Sequence, residues 1–580
     1  MRTNFGFMFL VPLALAPIQT SAQDSMPKPA VGKSAPTKGQ HSYEWDFPDC
    51  DGYSAPRGKS DGISRETFLW GAASRSVDVR RDKMERLGER GLEACDRALA
   101  SPLLLDDFWL RRASLLQAKA VHALATKQHD LAITLADHSD ALGIARKDPY
   151  FMQSVGAGNI AIRSYALGAL GRNDEAVMAI GSIENARPWA MSVTELALRL
   201  RFHLNTGTAE NSSDLKRILP HMPHKAESLF WLQFVHGRYD EALQTAPAVE
   251  FGTPKQRGGW TLEGADHDEL ERIGRRADFV GAWAYAESIS GNNERAVALI
   301  AHETTNLDTM MAPPPPRANG KPARREDVAA HTLALPRASR AKDQLSLWRK
   351  AIDFRPKLAT LAVDDPQVEL VQSWLTKLPI LPDILRTMPL TDPRDKAEAD
   401  QALADYFKRL ESDRSAELVF GESELMELLP RPETAKVVPV LKPAGDGYFL
   451  SDSGLSRSRE GTSDVWTIRY THKLAPVAAV EELAMLGAAQ TARREGFDSM
   501  IILNRLSIAR TTNVTNYYYG VAGPTYPVNS GYEAQLRVRF VNANALPPAM
   551  AAMGWRTIAV QKLIDDLNNR YKSGGVTIAW

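Results

Sequence analysis

The chain has 580 residues, 44% of them hydrophobic, with 70 basic and 70 acidic side chains. A chain of that length and apolar content buries large cores and is expected to divide into more than one domain. Zero formal net charge leaves no overall field to draw in nucleic acid or an anionic membrane surface, so neither class of partner has support.

The first residues are laid out as a secretory signal. Arg2 gives a positive start, Phe5 to Ala16 a short apolar stretch, and Thr20, Ser21 and Ala22 a small-residue cleavage site. With cleavage near Ala22 the mature chain is expected in the periplasm or outside the cell. The apolar stretch is far shorter than the roughly 20 residues of a spanning helix, and no later window matches that length, so no membrane span is expected. Residues 23–63 are rich in Pro, Gly, Ser, Lys and Asp with few aliphatics, and read as a flexible leader. The only two cysteines are Cys50 and Cys95. In an oxidising compartment they are a candidate disulfide, with two unpaired thiols as the alternative.

From about Ser64 the spacing becomes helical, as in Leu115, Leu116, Lys119, Ala120, Ala123 and Leu124, and this continues to about residue 310. Within it a turn followed by an acidic residue and an alanine recurs. The copies are Lys127-Gln128-His129-Asp130-Leu131-Ala132, Gly171-Arg172-Asn173-Asp174-Glu175-Ala176, Gly237-Arg238-Tyr239-Asp240-Glu241-Ala242 and Gly291-Asn292-Asn293-Glu294-Arg295-Ala296. This pattern resembles the tetratricopeptide repeat, in which two helices meet at a glycine-containing turn. Glycine suits the left-handed C-cap of the first helix, the acid favours the N-terminus of the second, and the alanine lets the helices approach closely. The alanines stand 44, 66 and 54 residues apart, against 34 in a regular array, so inserted helices are expected between degenerate repeats.

Residues 311–330, with Pro313 to Pro316, read as a Pro-rich linker. Helical spacing resumes over 331–429, in Leu345, Trp348, Ile352 and Phe354, in Val368, Val371, Trp374 and Leu375, and in Ala402, Tyr406, Phe407 and Leu410, and these are expected to be further helices packed on the array. A second linker is expected over 430–444. In 445–580 the period changes. Trp466, Ile468 and Tyr470 alternate as a strand, Val477 to Ala484 has helical spacing ended by Gly496, Met500–Leu503 is a short apolar strand, Leu536, Val538 and Phe540 form another, and Val560 to Leu567 a last helix. The fold class expected is mainly α, an α–α helical repeat array, with a small C-terminal α+β domain.

Residues Gly447-Tyr448, Ala484 to Ala492, Glu495-Gly496-Phe497-Asp498 and Tyr532 to Phe540 resemble a family of small proteobacterial envelope lipoproteins of unassigned function. The resemblance implies an envelope location and says nearly nothing of chemistry. The lipidated cysteine of those proteins has no counterpart here.

Chemistry-bearing patterns are few. Gly32-Lys33-Ser34 and Gly58-Lys59-Ser60 lack the glycine spacing of a phosphate loop. His221, His224 and His236 near Glu227 are interrupted by Pro220 and Pro223 and do not reach helical metal-ligand register. Asp106-Asp107 and Asp364-Asp365 are common at surfaces and helix starts. No catalytic, cofactor or metal residue is assigned. Tyr517, Tyr518, Tyr519 and Tyr526 lie between two predicted strands and are read as a contact loop, with strand-pairing tyrosines as the alternative. The functional expectation is a non-enzymatic envelope scaffold holding a protein or peptide partner. The rivals are an envelope enzyme with a site between the array and the C-terminal domain, and a structural subunit of a surface-assembly complex.

Overall fold

The computed structural model describes residues 43–571, except 64–65, 69–72, 76–86, 149, 205–207, 250–266, 318, 359, most of 361–420, 434–440, 445–452, 519–520, 547 and 552–553. The expected signal sequence and residues 23–42 of the leader lie outside the described residues.

The rest of the leader is ordered, a correction to the expectation of flexibility. Helix α1 (Asp46–Asp51) buries Phe47 and Cys50 against α2 (Glu89–Leu99) and α3 (Trp109–Ala125). Cys50 and Cys95 form a disulfide, S–S 2.07 Å, across 45 residues of chain. Arg111, fully buried, grips Asp51 with two hydrogen bonds of 2.6 and 3.0 Å and lies between the rings of Phe47 and Tyr53. The segment has too few aliphatics to fold alone; its order comes from these contacts with the helices. A two-stranded hairpin, β1 (Glu66–Phe68) and β2 (Ala73–Arg75), precedes α2, where the sequence suggested helix from Ser64.

Five helical hairpins follow: α3 with α4 (His129–Arg146), α5 (Val155–Ala169) with α6 (Asn173–Ala186), α7 (Met191–His203) with α8 (Thr208–Ile218), α9 (Ala226–Val235) with α10 (Tyr239–Thr245), and α11 (His267–Ile289) with α12 (Asn293–Met311). The four turns singled out in the sequence share one backbone geometry. Lys127, Gly171, Gly237 and Gly291 have φ of 60°, 76°, 73° and 86°. The next residue donates its amide to the carbonyl five back: Gln128 to Ala123 at 2.8 Å, Arg172 to Leu167 at 2.9 Å, Arg238 to Gln233 at 2.9 Å and Asn292 to Glu287 at 2.8 Å. That bond and a left-handed residue before it define the Schellman close of a helix. Ala132, Ala176, Ala242 and Ala296 are each 0% exposed, where a larger side chain would force the paired helices apart. The 66-residue gap between the second and third alanines holds the additional hairpin α7–α8.

The linker expected over 311–330 is shorter, because α13 (Arg325–Leu358) begins inside it and packs on α11 and α12. Trp348 of α13 lies fully buried against Gly281, where a Cβ would come within 2.1 Å of the indole. Asp383 accepts hydrogen bonds from Tyr239 at 2.8 Å and Tyr285 at 2.7 Å, seating its segment on the same core. The helices expected from Val368 to Leu375 lie outside the described residues, as do Ala402, Tyr406, Phe407 and Leu410. Helix α14 (Glu422–Leu428) comes next.

The C-terminal sheet is antiparallel, in the order β3 (Gly454–Arg459), β4 (Val465–His472), β6 (Val521–Val541), β5 (Ser499–Tyr518), β7 (Ile558–Ala559). Helices α15 (Val477–Arg494) and α16 (Val560–Tyr571) cover one face, over Ile468, Tyr470, Met500, Ile502, Leu536 and Val538. Ile501 and Leu503 enter a smaller core on the other face with Val541 and Met550, which explains the unbroken apolar run. The second linker is likewise no free tether where it is described: Leu441 is buried in this core and Pro443 bridges Leu455.

Candidate interaction site

Helix α14 lies on the first helices of three successive hairpins. It packs on α3 and α7, and the Tyr165 hydroxyl of α5 donates to Glu422 Oε1 at 3.1 Å. Leu425 is fully buried in the core of the hairpins, with Met426, Leu428 and Leu429 partly buried beside it. Glu422, Leu425 and Leu429 fall on one helical face by their spacing. At Gly158 of α5 a Cβ would meet the Gln117 amide nitrogen at 2.5 Å first and Leu429 Cδ2 at 3.3 Å, so both side chains sit close to the backbone there. The Gly421 amide is capped by Glu424 Oε2 at 3.0 Å, and the Glu433 amide beyond donates to Ser154 Oγ at 3.2 Å. Tyr165 stacks on His203 of α7, ring centroids 4.3 Å apart, and burial holds the His203 imidazole below the usual histidine range.

Next to this face the C-terminal domain meets the array through a buried charge network. Arg187, between α6 and α7, donates to Glu482 of α15 through Nε at 3.3 Å and Nη2 at 2.8 Å, and pairs with Glu433 through Nη1. Glu482 also pairs with Arg570 and accepts from the Tyr571 hydroxyl at 2.6 Å. Burial works against the charge on Glu482, but Arg187 and Arg570 outweigh it and hold the carboxyl below the usual range. For Glu433, burial dominates the attraction of Arg187 and pushes the carboxyl up. The neighbouring Glu481 accepts from the Ser192 amide and hydroxyl, both at 2.9 Å, and from Ser507 at 2.6 Å.

Trp189 completes the junction. Its indole donates to Asp566 at 3.1 Å, and its carbonyl accepts from the buried Arg505 of β5 at 2.6 Å. His221 packs edge-on against it, centroids 5.2 Å apart. Burial first, then Arg505 and Arg217, push the His221 imidazole down to about 4. Arg187, Arg505 and Arg570 thus face Glu433, Glu481 and Glu482, and the charges cancel. Each is engaged by another residue of the chain, so the arrangement acts as an anchor between two layers.

The residues picked out in the sequence are scattered. His221 joins the junction, while His224 is exposed and Glu227 pairs with Arg275 at 2.5 Å. Among the described residues no group of His, Cys, Asp or Glu could hold a metal ion. Gly58 and Lys59 form a tight turn between the bridged Arg57 and Ser60; Gly32 to Ser34 lie outside the described residues. The tyrosine segment is a ribbon, a correction to the expected loop. Sheet pairing with β4 stops at Tyr532, and β5 and β6 run on as two strands, with Val514 opposite Tyr526, Tyr517 opposite Ala522 and Tyr518 opposite Val521. Thr, Val and Tyr favour the extended chain there. Tyr519 lies outside the described residues.

Sequence reasoning missed Arg187, Glu481, Glu482 and the α14 contact. A signal for part of it was present: two adjacent glutamates interrupt an otherwise apolar, alanine-rich helix that is buried on nearly every side. No protein-family model, curated protein or solved structure matches the chain.

Proposed function

We propose that this chain is a non-enzymatic protein of the cell envelope that holds a protein or peptide partner on its helical array. The observation that carries this reading is the recurrence of one turn geometry at four places, each closing a helical hairpin on a buried alanine. Stacked hairpins of this kind build an extended surface without needing reactive side chains. The Cys50–Cys95 disulfide supports an oxidising compartment, in keeping with the signal-like N-terminus. No helix among the described residues is long and apolar enough to cross a membrane. The β5–β6 ribbon, with Tyr517, Tyr518 and Tyr526, supplies a second contact surface.

The rival enzyme reading would use the space between array and C-terminal domain. There the two layers meet through α15, Trp189 and the charge network, which favours a fixed joint over a substrate cleft. The discriminating experiment incubates the purified, oxidised chain with an envelope extract. Co-elution with one protein at fixed stoichiometry supports the proposal. Catalytic depletion of a small-molecule component, with no protein bound, would replace it with the enzyme reading.

A further inference from the structure

The face made by α3, α5 and α7 already holds a short helix, and that helix shows what kind of partner the face accepts. We infer that residues 421–433 are a built-in, displaceable occupant of a peptide groove, and that the external partner presents the same pattern: an acidic residue, leucine three positions on, and leucine four beyond that, in a short helix ended by proline. The inference rests on the interaction reading above and deepens it.

Three observations carry it. Helix α14 has seven residues, below the length at which a helix holds itself together in water, so the groove supplies its order. It fully buries one side chain, Leu425, and is held at its two ends by Glu422 on Tyr165 and by the Glu433 amide on Ser154. The hairpins beneath it pack on one another in sequence, α3 on α4, α4 on α5, α5 on α6 and α6 on α7, so their stacking does not depend on a segment more than 200 residues away.

A tethered occupant of this size enjoys a high effective concentration but a small interface, so a free partner that repeats its contacts and adds others can replace it. The groove floor offers an apolar well for the central leucine, the partly buried place of Leu429 beside Gly158 and Gln117 for the second leucine, and the Tyr165 hydroxyl for the acid.

The test uses a labelled peptide of residues 421–433 and the full chain carrying Leu425→Asp with Leu429→Asp. The peptide should bind this variant at least tenfold more tightly than the unsubstituted chain, and a peptide with Leu425→Asp should bind neither. Equal binding to both chains, or none to a variant whose circular dichroism matches the parent, overturns the inference. Hydrogen exchange on the unsubstituted chain decides independently of the variant's folding. Amides of 425–428 exchanging at least a hundredfold faster than those of α3 and α5 support displacement, whereas equal protection makes the segment an integral part of the core. A partner that crosslinks elsewhere on the array would leave the interaction reading standing while this inference fails.

Discussion

The Arg187 guanidinium and the Glu482 carboxylate, 295 residues apart in sequence, meet at 2.8 Å with both side chains 0% exposed. Such a pair adds little by itself, because desolvating two charges offsets most of their attraction. Losing one partner is different, since the other is left buried and uncompensated. Glu482→Ala is expected to lower stability by about 3–5 kcal/mol, and Arg187→Met by a similar amount. Urea titration of both single variants and the double variant should show strong non-additivity, because the array and the C-terminal domain share this joint. Additive losses would mean that the two residues act independently.

The buried histidines make stability depend on pH. The His221 imidazole has its proton affinity lowered to about 4, and burial lowers that of His122 as well. The unfolded chain, with histidines near about 6.5, therefore takes up protons before the folded one. This contribution is complete above pH 6.5 and lost as pH falls toward 4, up to about 3 kcal/mol for His221. Urea midpoints should fall between pH 7.5 and 5, and the slope should flatten in His221→Gln. A slope between pH 7.5 and 5 that is the same in His221→Gln as in the parent would contradict the burial of this ring.

The N-terminal latch should be held largely by its covalent link. Closing 45 residues of chain corresponds to about 4 kcal/mol in the chain-entropy model. Replacing Cys50 and Cys95 together by serine should lower stability by up to that amount. It should also expose residues 46–55 to limited proteolysis, read by mass spectrometry. Resistance equal to the parent would show that Arg111–Asp51 and Phe47 suffice without the bridge.

The turns offer a test in both directions. Gly237 has φ of 73°, so Gly237→Ala should cost about 1 kcal/mol through backbone strain. Lys127 occupies the same conformation with a side chain, φ 60°, so Lys127→Gly should stabilise by a few tenths to about 1 kcal/mol. Thermal unfolding should move the two variants in opposite senses. Shifts of the same sign would mean that the turns are not equivalent.

These turns were legible in the sequence because each is a local device: a left-handed residue, glycine in three and Lys127 in the first, then an acid and an alanine within six residues. The sheet was legible for the same reason, in the alternation of Trp466, Ile468 and Tyr470. The joint was not, because Arg187 and Glu482 look like ordinary surface charges until the fold brings them together. The ordered leader was hidden too, since Phe47 and Cys50 carry no periodicity and are fixed only by α2 and α3. Helix α14 falls inside the stretch 331–429 that reads as helical, but its seat on α3, α5 and α7 was not legible, because those partners lie more than 200 residues away in sequence. The candidate site thus consists mostly of residues whose meaning is tertiary.

The central claim, a partner held on the array, is tested most directly by site-specific photo-crosslinking of the full chain in intact cell envelopes. The photoreactive residue is placed in turn at exposed positions of the array, Met152 and Leu170 just beyond the two ends of α5 and Met178, Val297 and Ile144 on the second helices, and at Leu506 on the C-terminal domain. One reproducible protein adduct, identifiable by mass spectrometry, is expected from array positions and none from Leu506. Absence of an adduct from every array position, with the chain instead consuming an envelope metabolite, would contradict the claim.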